Sequence, residues 1–145
     1  MFKRILLPTD GSELSSRAVL AGVSLAKESG AEVVGITALP NFHTFTANAD
    51  MIESTEDEYL AASETRGGKY LAEIAQAARA AGVPCETLLV RSDDPYEAIL
   101  RTARARGCDL IVMASHGRRG LSGMLLGSET QKVLVHSAIP VLVYR

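Results

Sequence analysis

The chain has 145 residues, 17 acidic and 15 basic side chains for a net charge of −2, and a hydrophobic fraction of 47% with aromatics at only 5% and no Trp. That length suits one domain, residues 1–145, which can fold without a metal or a disulfide, and the apolar content is too high for a disordered chain. The near-neutral charge argues against a nucleic-acid binder. No apolar run approaches the roughly 18 residues of a membrane span, and the N-terminus lacks the features of a signal peptide, so a cytoplasmic location is expected.

Residues 3–8 (KRILLP) form a short apolar run ended by Pro, a strand by length and composition. Pro8, Thr9, Asp10, Gly11 and Ser12 then make a turn, with Ser12 as the expected N-cap of a helix over 13–29 whose apolar face holds Leu14, Ala18, Ala21, Gly22 and Leu25. Residues 32–38 (EVVGITA) read as a second strand. Residues 40–55 read as the longest irregular segment, and 50–64 holds six acids and no base, which fits a solvated helix start or a partner-contact loop. A helix is expected over 56–81, carrying Leu60, Ala61, Tyr70, Leu71, Ile74, Ala75 and Ala78, with an irregularity at Gly67-Gly68. Residues 85–91 form a third strand, and Asp94-Pro95-Tyr96-Glu97 opens a helix over 95–106. Residues 109–114 (DLIVMA) and 140–144 (PVLVY) are the last strands, separated by a glycine-rich stretch and a helix that Ser128 is expected to cap. Gly30, Gly82 and Gly107 each follow a helix and suit left-handed C′ positions. Cys85 and Cys108 form no CxxC and read as two buried, reduced thiols. His43, His116 and His136 show no metal-ligand spacing.

Strands alternating with helices predict an α/β fold, a single doubly wound, five-stranded parallel sheet with helices on both faces. In such sheets ligands bind beyond the carboxyl ends of the strands, where the strand order reverses, so the chemistry is sought at residues 8–12 and 114–128. The second stretch, SHGRRGLSGMLLGS over 115–128, holds four glycines and ends at a helix N-terminus. Glycines let backbone N–H groups approach an anion, and a helix start adds free donors and a positive dipole end. Arg118 and Arg119 add charge, and the Ser128 hydroxyl can reach a phosphate oxygen. These residues suit a phosphate cradle or a glycine-rich surface loop with Ser128 as a simple cap. Neither GxxxxGK[ST] nor GxGxxG nor GxSxG is present to decide between them. Asp10 fits a ribose contact, a divalent-ion ligand or an Asx turn. His116 fits a general base or a hydrogen bond that steadies the loop.

The whole chain resembles the universal stress protein family. The resemblance rests on residues 3–12 (KRILLPTDGS), 109–117 (DLIVMASHG) and 140–143 (PVLV), and on the family's ATP-binding pattern of Gly, two residues, Gly, nine residues, Gly, then Ser or Thr. Gly117, Gly127 and Ser128 match that pattern, and Ala114 stands at its first glycine, adding one methyl at the edge of the site. The resemblance implies a Rossmann-like, adenine nucleotide α-hydrolase-like fold with strand order 3-2-1-4-5. It implies ATP, with Mg2+ or Mn2+ held at Asp10, the adenosine part lying at Pro8, Thr9 and Asp10, with Ala38, Met113 and Ala114 near it. The phosphates then lie on Gly117, Gly127, Ser128, Glu129 and Thr130, with His116 and Arg118 beside them and the Glu129 contribution coming from its backbone N–H. A homodimer paired through the last strand, near Val141–Tyr144, is also implied. The function expected is thus a dimeric, ATP-binding regulatory module of the stress response, read by a protein partner and contacting neither nucleic acid nor membrane. Two alternatives stay open: an interaction module of the same fold that binds no nucleotide, which Ala114 favours, and a slow ATPase.

Overall fold

Apolar strands of four to eight residues alternate with helices along the chain. A computed structural model describes residues 1–42, 49–117 and 125–145, with side chains in the second helix from residue 55 onward. The elements are β1 (Arg4–Pro8), α1 (Glu13–Ser29), β2 (Glu32–Leu39), α2 (Ala49–Ala81), β3 (Cys85–Arg91), α3 (Pro95–Ala105), β4 (Leu110–Ala114), α4 (Ser128–His136) and β5 (Val141–Tyr144). All five strands are parallel, in the order β3-β2-β1-β4-β5, as expected.

Alternation along the strands divides the core into two layers. Ile5, Leu7, Val33, Leu110 and Val112 face α1 and α2, packing on Val19, Val23, Leu71, Ile74 and Ala78. Leu6, Val34, Ile36, Ile111 and Met113 face α3 and α4, packing on Ala98, Ile99, Ala103 and Val133. Strands covered on both faces need no polar face, which is why β1 and β4 read as continuous apolar runs.

Local signals set several boundaries. The Ser12 side chain accepts the Ser15 N–H as the N-cap of α1. Gly30, Gly82 and Gly107 sit at φ of +70°, +72° and +64°, the left-handed region that ends helices cheaply only with glycine. Other boundaries differ from expectation. The fully buried stripe of α1 runs through Ser15, Ala18, Val19, Gly22, Val23 and Ala26, one residue away from Leu14 and Ala21, while Leu25 is partly buried and packs on the core as expected. Ser15 tolerates burial because its hydroxyl donates to the Ser12 carbonyl at 3.0 Å and lies 3.2 Å from Thr9 Oγ1. Helix α2 begins at Ala49, so residues 49–55 are helical and not irregular; residues 43–48 lie outside the described residues. The helix also passes Gly67-Gly68 without a break. A Cβ at Gly67 would stand 3.0 Å from Leu89 Cδ1 and 3.1 Å from Leu39 Cδ1, so this glycine brings α2 close to the sheet, whereas a Cβ at Gly68 would meet nothing. Ala61, expected on the apolar face, is exposed, and Ser63 is buried in that layer's place, its hydroxyl donating to the Leu60 carbonyl.

The 33 residues of α2 span about 50 Å, roughly twice the length of β2, so the helix overhangs the sheet. Arg91, at the end of β3, fastens it there. Its guanidinium donates to the carbonyls of Pro40 and Leu60, both at 3.1 Å, and lies 3.6 Å from Glu64. Cys108 is buried as expected, but Cys85 is exposed because β3 is an edge strand.

Candidate functional site

The strand order reverses between β1 and β4. Strand β1 pairs with β2 as far as Pro8↔Ile36, but with β4 the register covers only Ile5↔Leu110 and Leu6↔Ile111. The ends of β1 and β4 therefore border a crevice at the switch point, where this class of sheet takes its ligands.

The β1–α1 turn is pinned by hydrogen bonds. The Thr9 N–H donates to the Ile36 carbonyl at 2.9 Å, and the Thr37 hydroxyl donates to the Thr9 carbonyl at 2.8 Å. Buried Thr9 Oγ1 accepts the Gly11 N–H at 3.1 Å. Asp10 closes an Asx turn, its Oδ1 accepting the Ser12 N–H at 2.9 Å. Its other oxygen, Oδ2, lies directly against Gly117, where an added Cβ would overlap it. The Asx turn thus uses one carboxylate oxygen of Asp10, and the other lies against Gly117 at the crevice. Gly11, at φ +78°, carries the ring of Tyr70 on its Cα, a spot a Cβ would also need. Helix α2 in this way props the turn from outside.

The β4–α4 turn closes on itself. The Ser115 N–H donates to the Tyr144 carbonyl at 2.7 Å, and the Gly127 N–H donates to the Ser115 carbonyl at 2.6 Å. A Cβ on Gly127 would stand 3.2 Å from the His116 Cα, so glycine is needed here for close approach rather than for its φ of −70°. His116 Nδ1 lies 3.2 Å from Ser115 Oγ, in keeping with a hydrogen bond that steadies the loop. Gly127, and not Ser128, is the N-cap of α4. Ser128 is the first helical residue and exposed, so the cap expected of it does not form. Gln131 donates from Nε2 to the Leu126 carbonyl at 3.1 Å. The N–H groups of the first turn of α4 have no intrahelical acceptor and carry its positive dipole end. Arg118 lies outside the described residues.

The remaining candidates fall into two groups. Pro8, Ala38 and Met113 stand at the carboxyl ends of β1, β2 and β4, and alternation turns all three toward the α3–α4 layer, where Ala38 and Met113 pack. They form an apolar floor beside the α4 N-terminus, extended by Val90, which pairs with Ala38. Ala114 faces the opposite way by the same alternation, toward α1, so its methyl lies away from that floor. Thr130 is buried, its hydroxyl donating to the Ala114 carbonyl at 2.9 Å. Glu129 turns its carboxylate to α3. A cleft of about 500 Å3 opens on the α1 side of Gly117, between the α1 cap Ser12, Glu13 and Arg17 of α1, His116 and Arg145. It takes in His116 and Gly117 and leaves the floor on the other side.

Thr37, Tyr70 and Val90 lie outside the stretches expected to form the site, and Ser115 lies within one of them with no role expected of it. A Thr in the apolar run of β2 and a Ser beside His116 were visible hints, but nothing local pointed Tyr70 at Gly11, 59 positions away. Among the described residues no group of three or more His, Cys, Asp or Glu side chains is placed to hold a metal ion, and no helix is long and apolar enough to cross a membrane.

The model of the universal stress protein family matches residues 1–145. Universal stress protein YxiE of Bacillus subtilis is 36% identical over 149 residues, spanning the whole of both chains. Among solved structures, hypothetical protein MJ0577 of Methanocaldococcus jannaschii has a TM-score of 0.83 at 28% identity, with 99% of this chain and 96% of that one covered. A universal stress protein solved in complex with cAMP has a TM-score of 0.70 at 26% identity, with 99% and 97% covered.

Proposed function

The chain belongs to the universal stress protein family, and from that premise we propose that it is an ATP-binding regulatory module. The observation that carries the reading is the meeting of Asp10 and Gly117 at the switch point, beside the N-terminus of α4. The adenine lies on the floor of Pro8, Ala38 and Met113, and Asp10 Oδ2 accepts from the ribose hydroxyls or holds a Mg2+ or Mn2+ ion that shares phosphate oxygens. The phosphates take the backbone of Gly117 and Gly127 and the N–H groups of Ser128, Glu129 and Thr130, with the exposed Ser128 hydroxyl beside them. Two features support this. The relative solved with cAMP holds an adenine nucleotide. The methyl of Ala114 faces away from the floor, so the departure from the family's first glycine does not crowd the base.

The module works as a homodimer through β5. Val141–Tyr144 is an edge strand with Leu142 exposed, flanked on α4 by exposed Leu134 and Val135. An open apolar edge of this kind is a pairing surface.

Equilibrium dialysis with ATP and Mg2+ tests the nucleotide reading. Saturable binding is expected, weakened by Asp10→Ala and by Gly127→Val. Absence of binding up to millimolar ATP overturns it.

A further inference from the structure

An acid in the first turn of α4 stands where phosphates are proposed, and like charges repel. The structure turns this carboxylate sideways. Glu129 Oε2 accepts the Tyr96 N–H at 2.9 Å, and Oε1 lies 3.5 Å from Lys132 Nζ. Tyr96 is the second residue of α3, whose own N-cap, Asp94, makes no side-chain capping bond. Glu129 therefore supplies, from a neighbouring helix, the acceptor that the start of α3 lacks. The Tyr96 ring is held on the same patch, 5.4 Å from Lys132 Nζ and 5.7 Å from the His136 ring.

Helix α4 is fastened at a second point, where the Thr130 hydroxyl donates to the Ala114 carbonyl. With Val133 already buried in the core beneath the helix, these two bonds, to β4 and to α3, fix the direction of its first turn. We infer that Glu129 is a positioning residue: by bridging to the N-terminus of α3 it aims the first-turn N–H groups of α4 at the phosphates of the bound nucleotide. Lys132 and the positive end of α3 hold its negative charge away from those phosphates. The inference rests on the nucleotide reading above.

The test compares the whole chain with Glu129→Ala, which removes the acceptor, and Glu129→Gln, which keeps an acceptor without the charge. Without ligand, amide hydrogen exchange at Tyr96 reads the bridge itself. Exchange about tenfold or more faster in Glu129→Ala, and little changed in Glu129→Gln, is expected for loss of one charge-assisted bond. Calorimetric titration with adenosine and with ATP reads the positioning. Glu129→Ala is expected to weaken ATP about tenfold and to leave adenosine unchanged, while Glu129→Gln binds ATP as well as the unaltered chain or better. Unchanged exchange at Tyr96 overturns the bridge. Equal losses for adenosine and ATP, or no loss for ATP, overturn the positioning role. If the unaltered chain binds neither ligand, the nucleotide reading fails and takes the positioning role with it, while the exchange result still reads the bridge.

Discussion

Gly117→Ala is the most direct probe of the contact between the two turns. Gly117 is not among the positive-φ glycines, so alanine suits its backbone. The new Cβ would occupy the place of Asp10 Oδ2, and the carboxylate must turn away, giving up the Ser12 N–H bond at 2.9 Å. An exposed bond of that kind contributes about 0.5–1.5 kcal/mol. Replacing Gly by Ala at a compatible backbone returns about 0.4–1 kcal/mol through the unfolded state. In the unaltered background the exchange should thus fall between about 0.5 kcal/mol stabilising and about 1 kcal/mol destabilising. In Asp10→Ala the obstacle is gone, and the same exchange should stabilise by about 0.4–1 kcal/mol. The coupling between the two positions is therefore about 1 kcal/mol, well above the roughly 0.3–0.5 kcal/mol within which independent sites add. Urea denaturation of the four proteins measures it, and thermal unfolding should show it as about 2–4 °C in Tm for a domain of this size. If Gly117→Ala costs the same with and without Asp10, the two turns do not meet there, and the geometry proposed for the site is wrong.

Gly68→Ala should stabilise by about 0.5–1 kcal/mol, since its Cβ enters open space inside a continuous helix. Gly67→Ala should not, because its Cβ meets Leu89 and Leu39; equal gains in urea denaturation would refute the close packing of α2 on β2 and β3. Asp109 accepts the Lys3 and Arg4 N–H groups at 2.9 Å and 3.0 Å. Burial pushes its pKa up, but those two bonds outweigh it and hold the carboxyl below its ordinary value. A lowered folded pKa stabilises above the unfolded value of about 3.9 and is lost as pH falls through the folded one. Asp109→Asn should accordingly cost about 1 kcal/mol at pH 7, with the gap closing below about pH 4 in denaturation curves taken across that range. Burial pushes the Cys108 thiol up to about 11, whereas Cys85 is exposed. A thiol reagent at about pH 8 should modify Cys85 alone in the folded protein, and both after unfolding, counted by mass. Prompt double labelling would place Cys108 at the surface.

What could be read from the sequence is what local interactions decide. Strand composition, the order of elements, the Ser12 cap and the three left-handed glycines depend on residues within a few positions of one another, so each leaves a mark in its own segment. The glycine-rich stretch before α4 and Asp10 at the tip of β1 were visible for the same reason, and the family's pattern added the expectation that they share a ligand. At the start of α4 Ser128 has the chemistry of a cap, but the Gly127 backbone, bonded to Ser115, takes the position. Gly67 and Gly68 look alike in sequence, and only the sheet beneath tells them apart. The same holds for Asp10 against Gly117, for Tyr70 on Gly11, and for Glu129 at the start of α3. Each of these contacts joins residues on different elements, and its existence depends on how strands and helices stack in space. Periodicity and capping chemistry say which residues a segment offers. Close packing across the switch point decides which of them meet.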